Sequence, residues 1–291
     1  MPTGNAHIRR TVEPPGERAA AAGGKRAEAR RDWRVIAASC AGGHGDAYGA
    51  TGQDAGGAVT VTTGVLVLCA ADGAGSAPHG GIGAATAVGA ALQAAQRQLE
   101  VPPADEAAML AALERILLDA RHALECAAGP ATAIDAFATT FLLAAHAPGV
   151  LGSAQVGDGG IVAADATGSV FRLTRPQVGE HAGETVFLSS DSWRERASVK
   201  AGSDHCTLSV ALLTDGLDSV AFDGRTEAPF KPFFGPLFAF AADEERDPAK
   251  ACLLLTDFLT SERIEERSSD DRTLLIAVRN RLADATGEGR W

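Results

Sequence analysis

AVTVTTGVLVLCAADG, residues 58–73, is a run of aliphatic and β-branched side chains that stops on Asp72 and Gly73. Short apolar runs bounded by Gly, Asp or Pro read as strands. A carboxylate therefore stands at the end of a segment that the core should bury, beside a glycine that lets the chain turn sharply. Immediately downstream the pattern changes: GAATAVGAALQAAQRQLE (83–100) is helical and stops before Pro102 and Pro103. A second helix is expected over 104–128, with Met109, Leu113, Ile116, Leu117 and Leu124 on one face and Gly129-Pro130 at its end.

Working outward, further strand-like runs occupy 34–40, 137–146, 149–158, 159–165, 169–174, 207–215 and 272–278. A third helix is expected over 247–262, with Pro248 in its first turn. The order is strands, two helices, a long series of strands, one helix and a last strand. This is not the βαβ alternation of a doubly wound sheet, so the expected class is α+β with a largely antiparallel sheet. Residues 218–247 mix Phe, Pro and acids irregularly and read as an inserted loop or small subdomain.

The strand-end carboxylate recurs. Asp158 follows VLGSAQVG, Asp215 follows LSVALLT, Asp270 and Asp271 precede RTLLIAV, and Asp54 lies in TGQDA ahead of the 58–72 run. One Asp-Gly pair alone is an ordinary turn. Several converging carboxylates are another matter, because two unit charges about 4 Å apart repel by roughly 4 kcal/mol at an effective dielectric near 20. A cation would relieve that repulsion, and hard oxygen ligands select Mg²⁺ or Mn²⁺.

The chain has 291 residues and 46% hydrophobic composition, enough for one large core or two small ones. With 26 basic and 37 acidic residues its formal charge is −11, which disfavours a partner that is a nucleic-acid polyanion. No apolar stretch has the length a membrane span needs, and the N-terminal residues lack the apolar segment of a secretory signal. Five cysteines without a CxxC pair read as reduced thiols of a cytoplasmic protein rather than as a zinc site. Residues 1–32 hold seven bases against four acids, with PPG and AAAAGG breakers, and read as a flexible basic tail; residues 33–291 read as a single domain.

Other chemistries fit poorly. DGAGSAPHGGIGAA (72–85) lacks the third glycine of a dinucleotide loop, and Gly81-Ile82 stands where a P-loop needs Lys-Ser/Thr. No GxSxG elbow occurs, and the adjacent Ser, Asp and His of AGSDH (201–205) cannot form a triad.

Taken in order, GGHGDAYGATGQDA (42–55), CAADGAGSAPHGGIGA (69–84), ATTFLLA (138–144), AQVGDGG (154–160), ALLTDGL (211–217) and SSDDRTLLIAV (268–278) form a specific series. The sequence resembles the metal-dependent protein phosphatases of type 2C (the PPM family), in a bacterial branch, along residues 33–279. The resemblance implies a four-layer α/β/β/α sandwich of two antiparallel sheets flanked by helices. It implies two Mn²⁺ or Mg²⁺ ions in a cleft at one end and hydrolysis of phosphoserine and phosphothreonine by a metal-bridged water. Asp72 would bridge both ions and the Gly73 carbonyl would bind one. Asp215 and Asp270 would complete the ligand set of the first ion, Asp54 would hold waters of the second ion, and Asp158 with Asp215 would bind a third ion in bacterial members. The implied partner is a phosphorylated protein, a bacterial Ser/Thr kinase or its target.

Two positions depart from the family pattern. Gly49 stands where many members carry a phosphate-gripping arginine, and His44 is the nearest candidate substitute. Ala74 stands where many eukaryotic members have a histidine, with His79 in the same loop. The missing arginine motivates a rival reading, a phosphatase-fold protein that binds or senses a partner without turnover.

Overall fold

A computed structural model describes residues 33–43, 52–176, 185–204 and 206–280. The segment read as a tail, 1–32, lies outside the described residues, as do His44 and Gly49. Among the described residues ten strands form two five-stranded sheets, antiparallel throughout. Strands β1 (Trp33–Cys40), β6 (Gly160–Asp165), β7 (Val170–Arg172), β9 (Thr207–Leu213) and β10 (Arg272–Arg279) build one sheet, in the order β1-β10-β9-β6-β7. The other contains β2 (Asp54–Thr60), β3 (Leu66–Asp72), β4 (Phe141–Ala147), β5 (Gly149–Val156) and β8 (Ser198–Asp204), in sequence order.

The central strands are apolar on both faces, and the period of two explains why. Along β3, Val67, Cys69 and Ala71 point into a core shared with helices α1 (Gly80–Gln98) and α2 (Glu106–Ala128). Leu66, Leu68 and Ala70 point the other way, into the core between the sheets. β10 behaves alike: Leu275 and Ala277 enter the inter-sheet core, while Leu274, Ile276 and Val278 meet helices on the far side. Two sheets stacked face to face with helices outside give the expected four layers.

Helix α1 lies close to its sheet because its buried face is small: Gly80, Gly83, Ala84, Ala87, Ala91 and Ala94. A Cβ on Gly83 would sit 2.2 Å from the Phe137 carbonyl oxygen, so glycine is required for that approach. Helix α2 starts at Asp105, whose side chain accepts from Ala108 N at 2.8 Å, and ends at Gly129 with φ 58°. Its buried residues include all five that the sequence pattern placed on one face.

Three elements differ from the sequence reading. The 58–72 run is two strands, split where Gly64 (φ 86°) permits a tight turn closed by Val61 and Val65. Strand β8, SVKAGSD, is polar because it is a sheet edge with only one covered face, and it had no strand signature. Half of residues 218–247 is helical, where the sequence read an irregular insertion: the short α4 (Asp218–Ala221) and α5 (Lys231–Ala241) follow the short α3 (Trp193–Arg196) in chain order. Helix α5 hides behind Pro232 at its start and Pro236 inside it, yet buries Phe233, Phe234, Leu237 and Phe238. Burying each such side chain contributes about 1.5–3 kcal/mol, enough to outweigh the hydrogen bond that Pro236 forfeits. Helix α6 (Pro248–Leu259) forms as expected and packs with α5 on the outer face of the β1-β10 sheet; the short α7 (Glu262–Glu265) follows. No helix among the described residues is long and apolar enough to cross a membrane.

Candidate metal centre

Strand direction gathers the aspartates. β3 ends at Asp72, β5 runs out toward Asp158, β9 leads into Asp215, and β10 begins just after Asp270 and Asp271. The registers put these ends together: Gly160 pairs with Leu213, Leu213 with Leu274, and Asp54 with Asp72. Carboxylate oxygens of Asp72, Asp158 and Asp215 all lie within 4.8 Å of one another. No two of the three are closer than 57 residues in sequence.

Three of these aspartates have a threonine support. Two successive threonines hold the Asp72 backbone: Thr139 Oγ1 donates to its carbonyl at 2.8 Å, and its N–H donates to Thr140 Oγ1 at 3.0 Å. Thr140 N also donates to that carbonyl, at 2.8 Å. Asp54 accepts from Thr214 Oγ1 at 2.7 Å, and that hydroxyl accepts from Thr273 N at 2.9 Å. Asp158 Oδ2 accepts from Thr185 Oγ1 at 2.7 Å. These threonines sit inside or beside apolar runs, where their sequence signal is that of strand formers.

The glycines next to the aspartates do different jobs. Gly159 has φ 80° and is needed for the turn itself. Gly73 and Gly216 are needed for close approach instead. A Cβ on Gly73 would lie 2.3 Å from the Gly80 carbonyl carbon, and one on Gly216 would lie 2.0 Å from the Asp271 carbonyl oxygen. Of the three, Gly159 alone turns through a positive φ, while Gly216 lies in the 3-10 turn that follows β9.

The paired acids Asp270 and Asp271 divide their roles. Asp271 Oδ1 accepts from Gly42 N at 2.7 Å and its Oδ2 accepts from Gln53 N, so it ties down both ends of the 42–53 segment. Asp270 is exposed, and its charge pushes the carboxyls of Asp72 and Asp215 upward. His79 precedes the first turn of α1, and its ring lies 5.0 Å from that of Phe137.

Burial, then crowding, dominates the electrostatics. Burial and the charges of Asp158, Asp270, Asp218 and Asp54 push the Asp215 carboxyl up to about 7. Burial raises both Asp54 and Asp72, and for Asp72 the charges of Asp54 and Asp215 add to it. Asp54 Oδ1 and Asp215 Oδ1 are buried and accept no hydrogen bond. Such orphaned acceptors are costly. A set of crowded, hard oxygen donors with unmet lone pairs fits a divalent cation.

Comparison with known proteins agrees with this geometry. A family model described as "Protein phosphatase 2C" matches residues 42–260. Serine/threonine-protein phosphatase 3 of Escherichia coli (strain K12) is 33% identical over 219 residues, 74% of this chain and 84% of that protein. Serine/threonine phosphatase Stp1 from Staphylococcus aureus superposes with TM-score 0.56 at 15% identity, covering 84% of this chain and 94% of that one. The catalytic domain of the serine threonine protein phosphatase PstP in complex with 2 manganese ions superposes with TM-score 0.54 at 14% identity, covering 85% and 98%. At such identities the structural matches speak for the fold. The family model and the Escherichia coli relative go further, and on them this chain belongs to the protein phosphatase 2C family.

Proposed function

We propose that the chain is a metal-dependent protein serine/threonine phosphatase, using Mn²⁺ or Mg²⁺ and acting on phosphoserine or phosphothreonine in a protein. The observation that carries this reading is the convergence of Asp72, Asp158 and Asp215, from three separate strand ends, within 4.8 Å. In the proposed site Asp72, the Gly73 carbonyl, Asp215 and Asp270 would hold one ion, Asp72 and Asp54 would serve a second, and Asp158 with Asp215 would take a third. When bound, divalent ions acidify water and neutralise charge at phosphoryl oxygens. The chain's own contribution is to hold the carboxylates in place before binding, through Thr139, Thr140, Thr214 and Thr185. No side-chain nucleophile is required in this reading.

His44 is assigned to the substrate phosphate, in the place that Gly49 leaves without a cation. The physiological partner is a phosphorylated protein, a bacterial Ser/Thr kinase or its target, met in the cytoplasm. The absence of an arginine at Gly49 is the one observation favouring a non-catalytic binder. Purified protein assayed with an aryl phosphate and a phosphothreonine peptide, with and without Mn²⁺, separates the two readings. Manganese-dependent release of phosphate, lost at least about 100-fold in Asp72→Asn and Asp215→Asn, is expected. Wild-type turnover in either variant at saturating metal would overturn the assignment.

A further inference from the structure

Gln155 is a fully buried amide at the end of β5 that the site as described above does not use. Its neighbours Ala154 and Val156 belong to the helix-side core, so Gln155 points between the sheets. A buried amide in that setting is unfavourable unless its donors and acceptor are met, and here all are. Its Nε2 lies 3.0 Å from the carbonyl oxygen of Gly157, 3.2 Å from that of Asp158 and 3.3 Å from that of Gly159. Its Oε1 accepts from the Thr174 hydroxyl, itself buried. The orientation of the amide is fixed by chemistry, since carbonyls only accept and the nitrogen only donates.

Three consecutive carbonyls turned toward one nitrogen define the conformation of the Gly157-Asp158-Gly159 turn, whose two glycines have φ 91° and 80°. Arg172 on β7 adds a second donor to the Gly159 carbonyl, and its guanidinium lies 4.0 Å from the Phe222 ring centroid. The side chain that this turn presents is Asp158. We infer that Gln155, oriented by Thr174, is the positioning residue for Asp158 and sets the affinity of the cation that Asp158 shares with Asp215. This rests on the reading of Asp158 as a ligand. Gln155 itself touches neither metal nor substrate in this account: it acts through the turn.

The test is a Mn²⁺ titration of the metal-free full-length chain, followed by the electron paramagnetic resonance of free Mn²⁺, with thermal unfolding measured alongside. Asp158→Asn is titrated first and is expected to weaken one class of ion while sparing the others. Gln155→Met keeps size and neutrality but removes the donors, and is expected to weaken that same class about 10-fold, in the range for residues that orient metal ligands. Thr174→Val, a milder change that keeps Gln155, is expected to act in the same direction by about 3-fold. Neither change is expected to weaken Mn²⁺ further when Asp158 is already Asn. A glutamine that only supports the fold would lower thermal stability and leave the titration unchanged, or weaken every ion equally. Either result in both Gln155→Met and Thr174→Val overturns the positioning role while leaving Asp158 a ligand. If Asp158→Asn binds every ion as wild type does, the ligand reading fails first and takes the positioning role with it.

Discussion

Asp54 and Asp72 are directly paired as the terminal residues of the β2–β3 ladder, so the sheet's own register forces two carboxylates together at one end of the sandwich. With Asp215 close by, the metal-free native state stabilises protons on this cluster. A carboxyl whose pKa is higher in the native than in the unfolded chain contributes most below its unfolded value and loses that contribution as pH rises through its native value. For Asp215 that window runs from 3.8 to about 7.

Metal-free Asp215→Asn should therefore be more stable than wild type at pH 8, by about 2–4 kcal/mol given about 1.4 kcal/mol per pKa unit. The gap should shrink to under about 1 kcal/mol near pH 4, where the native carboxyl is protonated and the unfolded one is about half protonated. Saturating Mn²⁺ should reverse the order, since the ion relieves repulsion in wild type and the variant has lost a ligand. Urea unfolding in chelator at pH 4, 6 and 8, then with Mn²⁺, checks each statement. A gap of constant size across pH would contradict the crowding account.

The same physics explains what was legible in the sequence. Asp72, Asp158 and Asp215 stood out because a charge at the edge of an apolar run has no packing reason to be there. Thr139, Thr140 and Thr214 did not, since threonine in a strand run satisfies strand propensity without any partner. Gln155 carries no signal of its own within the 149–158 run, and only the fold reveals that it faces inward. Helix α5 was lost to its two prolines, whose local penalty is outweighed by aromatic burial that only tertiary packing supplies. Strand β8 was lost because an edge strand keeps polar residues.

Asp270 and Asp271 are adjacent and chemically identical, yet should fail in different assays. Asp271→Ala leaves Gly42 N and Gln53 N without their acceptor, and since both residues are half-buried each loss should fall toward the lower end of the about 1–3 kcal/mol that an orphaned buried donor costs. Its thermal midpoint should fall by several degrees. Asp270→Asn removes an exposed charge and should leave the midpoint within about 2 °C, a surface-type effect, while weakening Mn²⁺ binding. Thermal melts and Mn²⁺ titrations of both variants decide it; equal behaviour in the two assays would undo the division of roles.

If His44 grips substrate phosphate in the place of the arginine absent at Gly49, its loss should act on binding. His44→Ala is expected to raise KM for a phosphothreonine peptide about 5–10-fold with kcat changed less than about 2-fold, the pattern for loss of ground-state binding. His44→Arg should restore KM, because a guanidinium binds phosphate in bidentate fashion. Steady-state kinetics at saturating Mn²⁺ measures both, and an unchanged KM in His44→Ala would remove this histidine from the substrate site.

Thr214 joins the two sheets at the candidate metal centre. It follows β9 in one sheet, its hydroxyl donates to Asp54 at the start of β2 in the other, and it accepts from the Thr273 backbone of β10. Thr214 is 1% exposed, so water cannot replace either bond. Thr214→Val keeps the shape and removes both, leaving the Thr273 N–H unpaired and Asp54 with one fewer donor. Stability should fall by about 1–3 kcal/mol. The Asp54 carboxyl, which this hydroxyl pulls downward against burial, should titrate higher, so Mn²⁺ must displace a proton over a wider range of pH. Mn²⁺ affinity should therefore drop more at pH 6 than at pH 8. Thr214→Ser, which keeps the hydroxyl and loses only a methyl group, should recover the affinity at both pH values. Equal loss in Val and Ser variants would assign the effect to packing and remove the threonine from the electrostatics of the site.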